Sequence, residues 1–166
     1  SLGKLETLLI QIAGITGNAE IDLSKRGLIA MCADNGVVEE GVTQTGQEVT
    51  AIVAENFLKY DTSVGVMCKQ SQAEIFPVDM GMVTDTKVRT DHKVAYGTQN
   101  MTKGPAMTRE QAVKGIEGGI AMVKELKEKG YKILATGEMG IGNTTTSSAV
   151  ASVLLNQPVE TMTGRG

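Results

Sequence analysis

The chain has 166 residues, enough for one domain with a real hydrophobic core. A net charge of -3, a pI near 5.2 and an aromatic content of 3% argue against a nucleic-acid surface, which needs clustered cations or stacking rings. No apolar run approaches the ~18 residues of a membrane-spanning helix, so the chain reads as soluble and cytoplasmic, with Cys32 and Cys68 as reduced core thiols and no disulfide or metal spacing.

Residues 4–13 place Leu5, Leu8, Leu9 and Ile12 on one face of an amphipathic helix ended near Gly14 and Gly17. Residues 1–17 are assignable to a smaller helical domain beside the main α/β domain. Arg26 to Ala33 is apolar almost throughout and predicts a central strand. It runs into Asp34-Asn35-Gly36, a carboxylate and an amide where open parallel sheets place ligand contacts. Gln47 to Tyr60 carries Val49, Ile52, Val53 and Phe57 at helical spacing, and Val64 to Ser71 predicts a second short helix. Ala73 to Met80 predicts a strand whose Pro77 belongs at an edge or a bulge.

Residues 81–104 have no clean period and hold the only histidine, His92, which is expected to be solvated. Thr108 with Gln111 makes a capping box for a helix that presents Ala112, Ile116, Ile120, Val123 and Leu126 on one side before Gly130 ends it. Tyr131 to Ala135 predicts a buried strand. The alternation of strand and helix predicts a Rossmann-like parallel sheet with helices on both faces. Ser1 enters a helix almost at once and Thr163-Gly164-Arg165-Gly166 stops inside a glycine-rich turn, so the chain reads as a fragment and the sheet as incomplete.

The stretch from Tyr131 to Thr146, YKILATGEMGIGNTTT, is the chemical centre of this reading. Gly137, Gly140 and Gly142 turn the backbone where no side chain obstructs it, and Asn143 or one of the threonines caps the following helix. Free N–H groups and the positive end of a helix dipole then face one volume, which holds a phosphate without a lysine. The competing account is a tight connection whose glycines serve only geometry. Neither the P-loop nor the dinucleotide spacing is present, which counts against a small-molecule kinase or a dehydrogenase. Glu138 either accepts hydrogen bonds from a ribose diol or simply stabilises the helix dipole. Met139 is either core filler or the wall of a flat aromatic pocket. No hydrolase triad and no carboxylate or histidine cluster points to a metal, and no cofactor is expected.

Five motifs stand in an order seen in one family: Ser1 to Glu6, Cys32 to Val37, Glu48 to Ala51, Gly104 to Thr108 and Gly137 to Thr145. The chain closely resembles the nicotinate-nucleotide–dimethylbenzimidazole phosphoribosyltransferases of the cobalamin lower-ligand pathway, and looks like their N-terminal half. The resemblance implies a metal-independent transfer of phosphoribose from nicotinate mononucleotide to 5,6-dimethylbenzimidazole, giving α-ribazole 5′-phosphate and nicotinate, in a homodimer. It implies a general-base glutamate in the C-terminal half, and so no catalytic residue in this chain. It places Glu138 in the phosphoribosyl site, Gly140, Gly142, Asn143 and Thr144 around the phosphate, and Met139 against the base. Asp34 joins the substrate-binding set, and Gly166 begins another phosphoribosyl-binding turn. Where many members carry Ser-Pro and a downstream glutamine near the base, this chain has Thr45-Gly46 and Val53. A non-catalytic nucleotide- or phosphate-binding module on the same fold is the alternative.

Overall fold

The apolar run Arg26–Ala33 becomes strand β1, and its central position organises the rest. In the computed structural model, which describes residues 2–164, β1 lies between β2 (Ala73–Gly81) and β3 (Ile133–Met139) in a three-stranded parallel sheet. Alternate side chains of a strand point to opposite faces, so β1 serves two cores at once. Ala30 and Cys32 pack with Ala54, Phe57 and Cys68 of helices α1 (Glu48–Lys59) and α2 (Ser63–Ser71). Ile29 packs on the other face with Val78, Met122 and Leu126, the last two from helix α3 (Arg109–Glu128). Helices therefore cover both faces of the sheet, as the alternation of elements predicts. The chain enters through a helix at Lys4–Thr16, here αN, and leaves through α4 (Asn143–Leu155) and α5 (Val159–Met162). No helix among the described residues is long and apolar enough to cross a membrane.

Local chemistry sets the boundaries. The Thr108 hydroxyl accepts from the Gln111 amide while the Gln111 side chain accepts from the Thr108 amide, completing the expected capping box of α3. At the other end, Gly130 adopts φ +84°, Gly130 N–H donates to Lys127 O and Tyr131 N–H donates to Leu126 O. This is a Schellman termination, and it claims Tyr131 for the helix end. The strand consequently starts at Ile133, two residues later than the sequence predicts, and continues through Gly137 and Glu138 to Met139. It is also an edge strand of this sheet with no fully buried residue, not the buried strand expected. Pro77 lies in the opposite edge strand, where its missing N–H is tolerated, as expected.

Two helix faces differ from the periodic reading. In α3 the buried line is Gly118, Met122 and Leu126, while Ile116, Ile120 and Val123 are 66%, 50% and 46% exposed. Gly118 marks the contact: a Cβ there would lie 3.0 Å from Met80 Cε and 3.3 Å from His92 Cβ, so a side chain at this position would require these neighbours to give way by a few tenths of an ångström. His92, expected in solvent, is instead packed against this glycine, with its side chain 20% exposed. In α1 the buried residues are Thr50, Ala51, Ala54 and Phe57, and Ile52 faces outward; small alanines, not the larger β-branched residues, make the close contact with the sheet. The αN helix runs through Gly14 to Gly17 and buries none of its residues.

The 82–108 connection is fastened by charge. Arg89 pairs with Asp91 and, across to α3, with Glu125 at 2.6 Å. Arg89, then Lys129, hold the Glu125 carboxyl down at about 2. Buried Asp79 accepts from the Met82 amide at 2.7 Å, and Lys93 Nζ lies 3.0 Å from its other oxygen. The reassigned face of α3 is directly testable by urea unfolding. Met122→Ala is expected to lower stability by about 2–5 kcal/mol, and Ile116→Ala by no more than about 0.5 kcal/mol. Equal losses would return the core to the face read from periodicity.

Candidate functional site

The ends of β1 and β3 meet at a glycine turn. Gly137 is not part of it; it sits within β3 opposite Ala30. A Cβ on Gly140 would lie 2.3 Å from the Ala33 carbonyl oxygen, so the backbone of the turn rests directly on the end of β1. Gly142 has φ +85°, and a Cβ there would meet Val38 Cγ2 at 3.0 Å. Gly142 is the N-cap of α4 and no side chain caps the helix. Asn143 and the threonines therefore form its first turn and are not the capping residues the sequence suggests. The left-handed φ needed at the cap excludes them in favour of glycine.

Between the two glycines, the backbone of Ile141 is held on both sides of its Cα. Its N–H donates to Thr50 Oγ1 at 3.1 Å and its carbonyl accepts from Asn35 Nδ2 at 3.0 Å. Asn35 Oδ1 accepts from the Thr146 hydroxyl at 3.2 Å, and the Asn35 carbonyl accepts from Gln47 Nε2 at 3.1 Å. The turn closes on itself through Asn143 N–H to Gly140 O at 3.0 Å and Thr146 N–H to Gly142 O at 3.3 Å. The amides of Thr144 and Thr145 have no acceptor among the described residues. They are the orphan donors that every helix start leaves over.

These amides belong to residues lining a cleft of about 920 Å³. One wall is Val42 to Thr45, the other is the first two turns of α4 with Thr144, Thr145 and Ser148, and Met101 and Val159 close the sides. No Lys or Arg lines it among the described residues. An anion here would be met by backbone N–H groups, hydroxyls and the helix dipole. Glu138 stands at the end of β3 and accepts a hydrogen bond from Asn143 Nδ2. Packing around Glu138 pushes its carboxyl above the usual range, with the Asn143 hydrogen bond pulling the other way. The described residues include no group of three or more His, Cys, Asp or Glu arranged to hold a metal ion.

Of the predicted residues, Thr45 and Thr144 line the cleft, whereas Gly140, Gly142 and Asn143 form the turn and helix start just before Thr144 without lining it, with Glu138 bonded to Asn143. Met139 is half-buried and packs against the α1 side of the core. Asp34 is 1% exposed and turned away from the cleft: Oδ2 accepts from the Val83 amide at 2.8 Å, and its backbone bonds Gly81 and Thr98. It locks the end of β1 to the loop after β2, with Oδ1 unpartnered among the described residues. Val53 packs toward the core, not on the cleft wall. Gly166 lies outside the described residues. Sequence reasoning missed Thr50 and Gln47, which hold the turn from α1. The signal was a hydroxyl inside Glu48-Val49-Thr50-Ala51, on a helix otherwise read only for its apolar spacing.

A parallel α/β layer whose glycine turn at the strand ends leads into a helix that lines a cleft is an arrangement that open α/β proteins use to hold anions. The chain belongs, more narrowly, to the family described as phosphoribosyltransferase, whose profile matches residues 1–166. It is 51% identical over 168 residues to the nicotinate-nucleotide–dimethylbenzimidazole phosphoribosyltransferase of Ruminiclostridium cellulolyticum, covering 100% of this chain and 48% of that protein. The protein of the same name from Clostridium tetani is 49% identical, with 100% and 46% covered. The crystal structure of CobT from Thermus thermophilus superposes with a TM-score of 0.92 at 34% identity, covering 99% of this chain and 50% of that one. The chain thus spans about half the length of the relatives it matches.

The tightness of the turn on β1 gives a sharp expectation. Gly140→Ala should cost about 1–3 kcal/mol in chemical unfolding because the Ala33 carbonyl has nowhere to move. Gly104→Ala, where a Cβ meets nothing within 4 Å, should stay within about 0.5 kcal/mol of the parent. A silent Gly140→Ala would mean the turn does not rest on β1.

Proposed function

We propose that this chain carries the phosphoribosyl-binding part of an enzyme that transfers phosphoribose from nicotinate mononucleotide to 5,6-dimethylbenzimidazole. The observation that carries the reading is the pair of unpaired amides of Thr144 and Thr145, two residues that line the cleft, in a chain of this family. The phosphate sits on these amides and against Gly140, Gly142 and Asn143. Glu138, held by Asn143, accepts hydrogen bonds from the ribose diol. The flat base lies toward Thr45, with Met139 beneath it.

A benzimidazole nitrogen attacks the anomeric carbon as the bond to nicotinate breaks, inverting the configuration through an oxocarbenium-like transition state. A glutamate outside this chain takes the benzimidazole N–H proton, and nicotinate leaves with the bonding pair. The chain alone therefore binds but turns over poorly, because a positioned general base is typically worth about 10²–10⁴ in rate. The working enzyme is a cytoplasmic homodimer, and αN, which buries nothing here, belongs to a smaller helical domain completed by the rest of that protein.

Titration of nicotinate mononucleotide into ¹⁵N-labelled protein tests the assignment. Saturable shifts are expected from Gly140 to Thr145, and a well-ordered sample without shifts there would overturn it. Ionised Glu138 can accept from both diol hydroxyls, protonation replaces one acceptor with a donor, and its carboxyl titrates above the usual range. Affinity should therefore begin to fall on acidification before an ordinary glutamate would protonate. The ligand phosphate also titrates, near pH ~6, but equally in Glu138→Gln, so the difference between the two pH profiles isolates Glu138. Superimposable profiles would remove Glu138 from the site.

A further inference from the structure

We propose that Thr50 is a positioning residue for the anion cradle, setting the direction of the Thr144 and Thr145 amides from α1 without touching the ligand. This rests on the phosphoribosyl reading of the cleft, which it deepens. Thr50 is completely buried, in the first turn of α1, and its Oγ1 accepts the Ile141 N–H at 3.1 Å. Asn35 Nδ2 holds the next peptide unit by donating to the Ile141 carbonyl at 3.0 Å. Each peptide unit is planar, and these two bonds fix the planes on either side of the Ile141 Cα, the Gly140–Ile141 unit through its N–H and the Ile141–Gly142 unit through its C=O, so together they restrain φ and ψ of Ile141. The next residues are Gly142, at φ +85°, and the start of α4. A glycine at positive φ has many alternatives close in energy, so the turn cannot hold this conformation by its own preference. Beside the turn's own bonds from Asn143 N–H to Gly140 O and from Thr146 N–H to Gly142 O, the restraint comes from Thr50 and Asn35.

Thr50 does not line the cleft, whereas Thr144 and Thr145 do. Its effect on a ligand must therefore pass through the Ile141 peptide. The same α1 start also bears on the opposite wall: Gln47 Nε2 donates to the Asn35 carbonyl at 3.1 Å, directly after the Val42 to Thr45 segment. Both walls of the cleft are thus referenced to one helix start.

Thr50→Val removes the acceptor while keeping the shape, and Thr50→Ser restores it. The readouts are hydrogen exchange at the Ile141 amide and the affinity for ribose 5-phosphate, measured from the Thr144 and Thr145 amide shifts of the full 166-residue chain. In Thr50→Val, Ile141 exchange should accelerate about tenfold or more, and ribose 5-phosphate should bind weaker by a similar factor, because a buried donor is left unpaired. Exchange at Ala54 and Phe57 should stay unchanged, and Thr50→Ser should recover both readouts. Asn35→Asp tests the second of the two peptide units independently, since a carboxylate cannot donate to Ile141 O, and the same pattern is expected even if Thr50→Val fails to fold. The proposal is overturned if Ile141 protection and ribose 5-phosphate affinity survive these changes, or if protection falls evenly along α1 and β1, the signature of lost core packing. Absence of any ribose 5-phosphate binding by the parent protein would instead remove the phosphoribosyl reading, while the Ile141 exchange pattern would still decide the clamp.

Discussion

The backbone of Ile141 ties three parts of the chain together. Its two hydrogen bonds join the segment after β1, through Asn35, to the start of α1, through Thr50. Gly140 lies against the Ala33 carbonyl below it and Gly142 against Val38 beside it. Because each partner is itself anchored in the sheet or the core, the turn inherits their order. An anion cradle made of backbone amides depends on such order: donors that already point inward need no ordering when the ligand arrives.

That dependence follows from the charge of the cleft. No cationic side chain lines its described walls, and the protein as a whole is acidic. A helix dipole contributes only about 0.3–1 kcal/mol toward an exposed charge, up to ~2 where partly buried, so direction and spacing of the amides must supply what a lysine would supply by charge. Glu138 fits this logic when it is placed on the ribose rather than the phosphate. A carboxylate whose ionisation is already opposed by its surroundings would be a poor neighbour for a dianion but a good acceptor for a neutral diol.

The sheet was largely legible in the sequence because buried parallel strands are continuous apolar runs, and β1 matches its predicted span residue for residue. The capping box of α3 was equally legible, since it is a local exchange of hydrogen bonds. What periodicity missed was set by partners distant in sequence. In α3 it is Gly118 that meets Met80 and His92, with Ile116 and Ile120 left outside, and in α1 it is Ala51 and Ala54 that are buried. Helix spacing shows which apolar residues share a face but not which face the sheet will admit. Tyr131 was lost to the strand because the Schellman bonds to Leu126 claimed it. In the site, the glycine turn was visible, whereas Asp34 and Asn35 could not be told apart by type. One turned out to lock the loop after β2, the other to hold the turn. Thr50 was hidden because a buried threonine in a helix looks like packing until its distant acceptor role is seen.

A crystal structure of this chain with nicotinate mononucleotide bound tests the central claim most directly. The account predicts phosphate oxygens about 2.7–3.2 Å from the Thr144 and Thr145 amide nitrogens, with the Ile141 backbone still held by Thr50 and Asn35 and the ribose hydroxyls toward Glu138. A phosphate bound elsewhere in the cleft, with those two amides left to water, would contradict it.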